Sequence, residues 1–136
     1  MEAKTSNLMV LVIEDLQPLS HELEDLMRQN KFNSMAATSG GDALYKASEF
    51  FPDFVVMDVN NGDDIDGINA ALHIHKFYDI PLIFLVTQNI KQKIKKVIDS
   101  KSVGYLTKPF KQQELIAMIK LAFYVHYIHY PNKKHR

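Results

Sequence analysis

The chain contains no cysteine, so it can hold no disulfide framework and perform no thiolate chemistry. It also has no excess of either charge. Sixteen Lys and Arg stand against sixteen Asp and Glu, for a formal net charge of +0. Nucleic-acid and anionic-membrane binders usually carry a basic excess, so neither nucleic acid nor membrane is expected as a partner. No apolar run is long enough to span a bilayer. The start, Met1-Glu2-Ala3-Lys4, lacks the long apolar stretch of a signal peptide. These absences together fit a cytoplasmic protein. There is also no sequence repeat, no low-complexity segment and no interdomain linker, so the 136 residues are expected to form a single domain (1–136). Hydrophobic residues make up 46% and charged residues 24%, enough for a packed core with an ordinary surface.

What the chain does have is a series of short apolar runs. In Phe54-Val55-Val56-Met57-Asp58, four apolar residues lead straight into one carboxylate. An apolar run without polar alternation suits a strand buried on both faces. A carboxylate at its C-terminal end would sit at the sheet edge where open α/β folds place their chemistry. Residues 8–13 form another such run, ending in Glu14-Asp15. Pro18 falls where a helix can begin, and Leu16, Leu19, Leu23, Leu26 and Met27 recur at helical spacing to about residue 30. Residues 32–38 read as a short, weak strand. Ser39-Gly40-Gly41-Asp42 ends it and can start a helix, with Ala43, Leu44 and Ala47 facing inward and Pro52 closing it. Residues 60–67 read as an acidic, glycine-containing loop, and Ile68, Ala71, Leu72 and His75 sketch a third helix. Pro81 opens a strand over 82–87. Ile90, Ile94, Val97 and Ile98 lie on one helical face, with Lys91, Lys93, Lys95 and Lys96 largely on the other. Residues 103–107 form a last short strand before Lys108-Pro109, and a final helix runs from about residue 111 to near Tyr130. Strands alternating with helices five times imply a parallel sheet with right-handed crossovers and helices on both faces.

The strand ends then carry Glu14 and Asp15, Asp58, Thr87 and Lys108, and parallel strands gather them on one edge. Three carboxylates repel one another there. A hard divalent cation such as Mg²⁺, which prefers a few carboxylates, a carbonyl and waters, would remove that penalty. A hydroxyl and an ammonium bind phosphate oxygens. The set suits a carboxylate that accepts a phosphoryl group, with catalysis reduced to positioning and electrostatics.

The ordered set Glu14-Asp15, Asp58, Asp66-Gly67, Thr87, Tyr105 and Lys108-Pro109-Phe110 resembles the receiver domain of two-component response regulators, of the stand-alone type, over roughly residues 8–125. Two longer stretches share the likeness, Asp66-Gly67-Ile68-Asn69-Ala70-Ala71 and Gly104-Tyr105-Leu106-Thr107-Lys108-Pro109-Phe110. The resemblance implies a flavodoxin-like (βα)5 three-layer sandwich with strand order 2-1-3-4-5. It makes Asp58 the phosphorylation site and gives Mg²⁺ the ligands Asp15, Glu14 through water, Asp58 and the backbone carbonyl of Asn60. Lys108 would pair with phosphoryl oxygens, next to a cis bond to Pro109. Thr87 and Tyr105 would form the switch. The implied partners are a sensor histidine kinase or phosphotransfer protein and a downstream protein, and the implied activity is that of a phosphoacceptor module rather than an enzyme.

Two departures stand out. Gln88 follows the switch threonine where the family usually has a small residue, and the 60–65 loop lacks the proline many receivers carry, so a mobile loop is expected there. Plainer readings compete with the site. Glu14-Asp15 can simply cap a helix, and a half-buried strand tyrosine needs no switch role. His73 and His75, two apart on a helix, have poor metal geometry; His126 and His129 are read as a packed or solvated face. The lysines between 91 and 101 are most often a solvated face, with a partner role second. Phe123, Tyr124, Tyr127, Ile128 and Tyr130 place apolar surface all round the last helix, so a homodimer through the last strand and helices, or a docked partner, is expected. Few residues follow that helix, so no output domain is expected and the output would be a protein contact. A degenerate receiver acting as a scaffold is the alternative. An aspartyl-intermediate phosphatase is disfavoured because Asn60 stands where a second acid is needed. A flavin protein is disfavoured because no Ser/Thr-Gly-rich loop follows the first strand.

Overall fold

A computed structural model describes residues 8–14, 22–59, 65–97 and 103–129, with the side chains of 96, 97 and 126–129 left aside. Five strands alternate with five helices: β1 (Met9–Ile13), α1 (Glu22–Gln29), β2 (Asn33–Ala37), α2 (Gly40–Phe50), β3 (Phe54–Asp58), α3 (Ile65–Tyr78), β4 (Leu82–Val86), α4 (Gln88–Val97), β5 (Val103–Thr107) and α5 (Gln112–His129). All strand pairs are parallel, and the order across the sheet is β2-β1-β3-β4-β5. This is the flavodoxin-like arrangement expected from the sequence.

The unbroken apolar runs hide a period of two. Leu11, Ile13, Val55, Met57, Leu82 and Phe84 face a core completed by α2, α3 and α4. Val10, Val12, Phe54, Val56, Ile83 and Leu85 face a second core completed by α1 and α5. Both faces are covered, so neither carries a polar residue in β1, β3 or β4 until the strand ends.

Local chemistry sets the helix boundaries. The Ser39 hydroxyl accepts the Asp42 N–H at 3.0 Å and caps α2. Asp42 accepts the Thr38 N–H at 3.3 Å and pairs with Lys46 at 3.2 Å, and Lys46 also donates to the Ala36 carbonyl. These contacts lock the turn from β2 into α2. At the other end of the sheet, Asp53 accepts the Met9 N–H at 2.9 Å and donates its own N–H to the Met9 carbonyl at 2.8 Å, tying the start of β1 to β3. His75 Nδ1 lies 2.7 Å from the Ile80 carbonyl, so this histidine braces the turn out of α3, a structural role as read from the sequence.

Two expectations are corrected. Leu44 does not face inward. It is 38% exposed, and only Ala43 and Ala47 of its helix are buried with Gly40. Helical spacing does not separate large apolar residues from small ones, whereas α2 lies so close to its neighbours that only small ones fit beneath it. The acidic loop after β3 is also shorter than residues 60–67, because α3 already begins at Ile65; the remainder of the loop expected to be mobile lies outside the described residues.

The close approach is sharpest at Gly40. A Cβ there would lie 2.5 Å from the Asp66 carbonyl oxygen and 3.0 Å from its carbon, both backbone atoms that cannot move aside. At the adjacent Gly41 nothing lies within 4 Å. Gly40→Ala is therefore expected to destabilise by about 1–3 kcal/mol despite alanine's better helix propensity. Gly41→Ala should be neutral or stabilising by up to about 1 kcal/mol. Urea unfolding of the two variants checks this, and equal midpoints would remove the close-packing argument.

Candidate functional site

The C-terminal edge of the sheet is built by extending its backbone ladder one residue past each strand. The Glu14 N–H donates to the Ala37 carbonyl at 3.1 Å, the Val59 N–H to Leu85 at 2.9 Å and the Lys108 N–H to Val86 at 2.7 Å. Each functional side chain is thus fixed by main-chain bonds rather than carried on a loose loop. Glu14 is only 8% exposed, and no other polar or charged side chain is buried among the described residues. Ile13 pairs with Met57 across the β1–β3 ladder, so Glu14 and Asp58 occupy successive positions on neighbouring strands.

Asp58 forms an ion pair with Lys108, the ammonium reaching Asp58 Oδ1 and lying 3.5 Å from the Val59 carbonyl. The two residues come from β3 and β5, with β4 between them. Two strand spacings amount to about 10 Å, so a long side chain must arch over the end of β4 to close this pair. The Lys108–Pro109 peptide is cis.

Thr87, expected on the same edge, is found there at the end of β4. It is exposed, and its hydroxyl accepts the Ile90 N–H at 3.4 Å while its carbonyl accepts the Lys91 N–H at 2.9 Å. Thr87 is therefore the N-cap of α4. Tyr105 pairs in register with Phe84, with ring centroids 6.1 Å apart, and packs against the α2–α3–α4 core. Burial pushes its phenol above the ordinary value and keeps it a neutral hydroxyl.

Glu14, Asp58, Asp66 and Gly67 line one open cleft of about 710 Å³, together with Ser39, Gly40 and Leu44 at the start of α2. A Cβ on Gly67 would come within 2.7 Å of the Met57 methyl, the far end of a flexible side chain that also lines the cleft. The sequence reading missed the contributions of Gly40, Leu44 and the Val59 carbonyl. The Gly40-Gly41 doublet was the one signal that could have pointed to them.

Of the expected residues, Glu14, Asp58, Thr87, Tyr105 and Lys108 lie at this edge or beside it. Asp15 and the Asn60 carbonyl lie outside the described residues, and among the described residues no three acidic or histidine side chains cluster as a metal site. The donors present still fit Mg²⁺. A buried carboxylate beside a half-buried one offers hard oxygens only, with an open cleft above for waters. The His73 ring stacks on Phe77 at 5.1 Å and lines the same cleft. Of the apolar surface expected on α5, Leu121 is 67% exposed and Tyr124 and Val125 are exposed beside it, whereas Phe123 is buried; the side chains of residues 126–130 lie outside the described set.

No helix among the described residues is long and apolar enough to cross a membrane. Comparison with solved structures finds the same fold. The chemotaxis response regulator CheY4 of Vibrio cholerae is 22% identical, with a TM-score of 0.65 over 85% of this chain and 98% of that one. A response regulator receiver protein from Sinorhizobium medicae is 20% identical, with a TM-score of 0.70 over 86% and 94%. The receiver domain of the PhyR response regulator of Erythrobacter litoralis is 26% identical, with a TM-score of 0.70 over 87% and 91%. At the level of sequence families, the response regulator receiver domain matches residues 10–120. With its fold, its edge of acids and lysine, and this match over most of its length, the chain belongs to the response regulator receiver domain family.

Proposed function

We propose that this receiver accepts a phosphoryl group on Asp58 from a histidine kinase or phosphotransfer protein and thereby switches a protein-binding surface. The observation that carries this reading is the Asp58–Lys108 ion pair beside buried Glu14. An Asp58 carboxylate oxygen attacks phosphorus, the phosphorus–nitrogen bond of the donor breaks, and the donor imidazole keeps the electron pair. Lys108 turns from the carboxylate to the incoming phosphoryl oxygens, as a compact point charge on a flexible stem. Glu14, Asp15, Asp58 and the Asn60 carbonyl would hold Mg²⁺, and the chemistry it would supply there is neutralisation of charge on the phosphoryl oxygens. Thr87 then donates its hydroxyl to a phosphoryl oxygen, and Tyr105 follows inward along Phe84. The protein is a phosphoacceptor module that assists its own phosphorylation and dephosphorylation rather than an enzyme acting on a separate substrate. Its output is contact with a downstream protein in the cytoplasm, and the exposed Leu121, Tyr124 and Val125 support a homodimer through β5 and the last helices.

Incubation with Mg²⁺ and a small phosphodonor such as phosphoramidate tests this. Intact-mass measurement should show one added phosphoryl group, and chelation of the metal before the donor is added should prevent it. Uptake that is indifferent to the chelator would sink the metal assignment, and no uptake at all would sink the function. Gln88, exposed at the first position of α4 beside Thr87, narrows access to the phosphoryl site. Gln88→Ala is expected to raise both uptake from a small donor and hydrolysis severalfold; unchanged rates in a time course would refute that role.

A further inference from the structure

Large apolar side chains gather on the outside of α2 and α3. Leu44, Tyr45, Phe50, Phe51, Ile65 and Phe77 are all exposed on these two helices or on the cap of α2, with Phe77 at 71% and Tyr45 at 58%. Phe77 is nonetheless held in place, because the His73 ring stacks on it at 5.1 Å and Tyr78 meets it edge-on at 5.3 Å. An exposed aromatic ring that is already fixed loses little freedom when it is covered. Leu44, Tyr45, Phe51 and Phe77 leave roughly 400 Å² bare, at about 200 Å² for each whole side chain. A contiguous patch of that size is what marks an interaction site. It is about half of what one partner contributes to a standard interface.

The charges beside this patch are complementary to each other. Glu49 on α2 and Lys76 on α3 are both exposed, and neither has an ion-pair partner among the described residues. Both helices are crossovers of one parallel sheet, so they run in the same direction. A Cβ on Gly40 would meet Asp66 and Ala70, and Leu44 lines the cleft with His73. One turn further along, Glu49 is therefore level with Lys76 and Phe77. Glu49 shares its flank of α2 with Lys46, which reaches Ala36 on β2, whereas Gly40 faces α3. Lys76 is turned about 100° from Phe77, away from the Asp66–Ala70 row that meets α2. The acid and the base thus flank the aromatic patch on its two outer sides.

We propose that this face pairs with itself, α2 of one copy lying on α3 of another around a two-fold axis parallel to the helices. Such an axis exchanges the two helices at equal height. Leu44, Tyr45 and Phe77 then form an apolar centre, and Glu49 meets Lys76 of the partner subunit at both outer rims. Apolar inside and charged at the edge is the layout of a specific interface. A second copy fits better than a strongly charged partner. Away from the cleft the face sets one free acid against one free base, Asp42 and Lys46 already satisfy each other, and the chain has a formal net charge of +0. Helices α2 and α3 cover one side of the sheet and α1 and α5 the other. The contact is thus separate from one through the last helices, and the two together carry assembly past a dimer. It needs no phosphoryl transfer.

Sedimentation velocity of the full chain, without phosphodonor and from micromolar to near-millimolar concentration, tests this. Leu121→Ser weakens any contact through the last helices, and that variant should still form a dimer. Adding Glu49→Lys makes both rim pairs repulsive and should weaken the dimer about tenfold, an effect that high salt reduces. Adding Lys76→Glu as well restores opposite charges across the two-fold axis and should recover the affinity. Leu121→Ser with Phe77→Glu should be a monomer throughout. Circular dichroism confirms that each variant folds. A Leu121→Ser protein that stays monomeric at every concentration overturns the proposal, and so does a dimer that Phe77→Glu leaves intact. A dimer weakened equally by Glu49→Lys and by the double charge swap also overturns it, since only the proposed pairing sets position 49 against position 76.

Discussion

Asp58→Asn is expected to take up no phosphoryl group from any donor while remaining folded. The amide is nearly the same size as the carboxylate, so β3 and the Val59–Leu85 bond beyond it are undisturbed. What is lost is the nucleophilic oxygen anion and the charge that faces Lys108. The pair is about a quarter exposed on each side, 25% for Lys108 and 22% for Asp58, so solvent screens much of its energy. Its removal should change stability by less than about 2 kcal/mol. Loss of uptake with an unchanged unfolding midpoint therefore separates chemistry from folding. Residual uptake at the wild-type rate would place the phosphoryl group elsewhere.

Phe84→Ala should have the largest effect on stability. Phe84 is fully buried in the centre of β4, between the strand that carries Asp58 and the strand that carries Lys108. Its deletion leaves a cavity under Tyr105, and a loss of about 3–5 kcal/mol is expected. Against a domain stability on the order of 5–15 kcal/mol, that lowers the melting temperature by roughly 10–20 °C. Phe84→Leu keeps most of the volume and should lose less than about 1.5 kcal/mol. Thermal unfolding by circular dichroism checks both, and a Phe84→Ala midpoint within a few degrees of wild type would show that the sheet can collapse around the gap.

The legible part of the fold was the part written in short-range pattern. Runs such as Phe54–Asp58 and Leu82–Val86 mark buried strands because water is excluded from both faces, and they lie where the sequence places them. The residue that ends each run is then at the sheet edge by necessity, which is why Glu14, Asp58, Thr87 and Lys108 were found by reading alone. The pattern failed where two elements meet. Leu44 has the right spacing to be buried and is not, because the backbone contact of Gly40 with Asp66 leaves no room for a large side chain beneath that helix.

The sequence by itself determined the succession of strands and helices and the set of polar groups available at one edge, because periodicity and turn chemistry act over a few residues. Tertiary structure alone decided that Lys108 arches over β4 to reach Asp58, that the Thr87 hydroxyl is held by α4, and that α2 and α3 touch through their backbones. Those relations depend on which strands lie side by side and how closely helices pack, distances set by the whole core and not by any one segment.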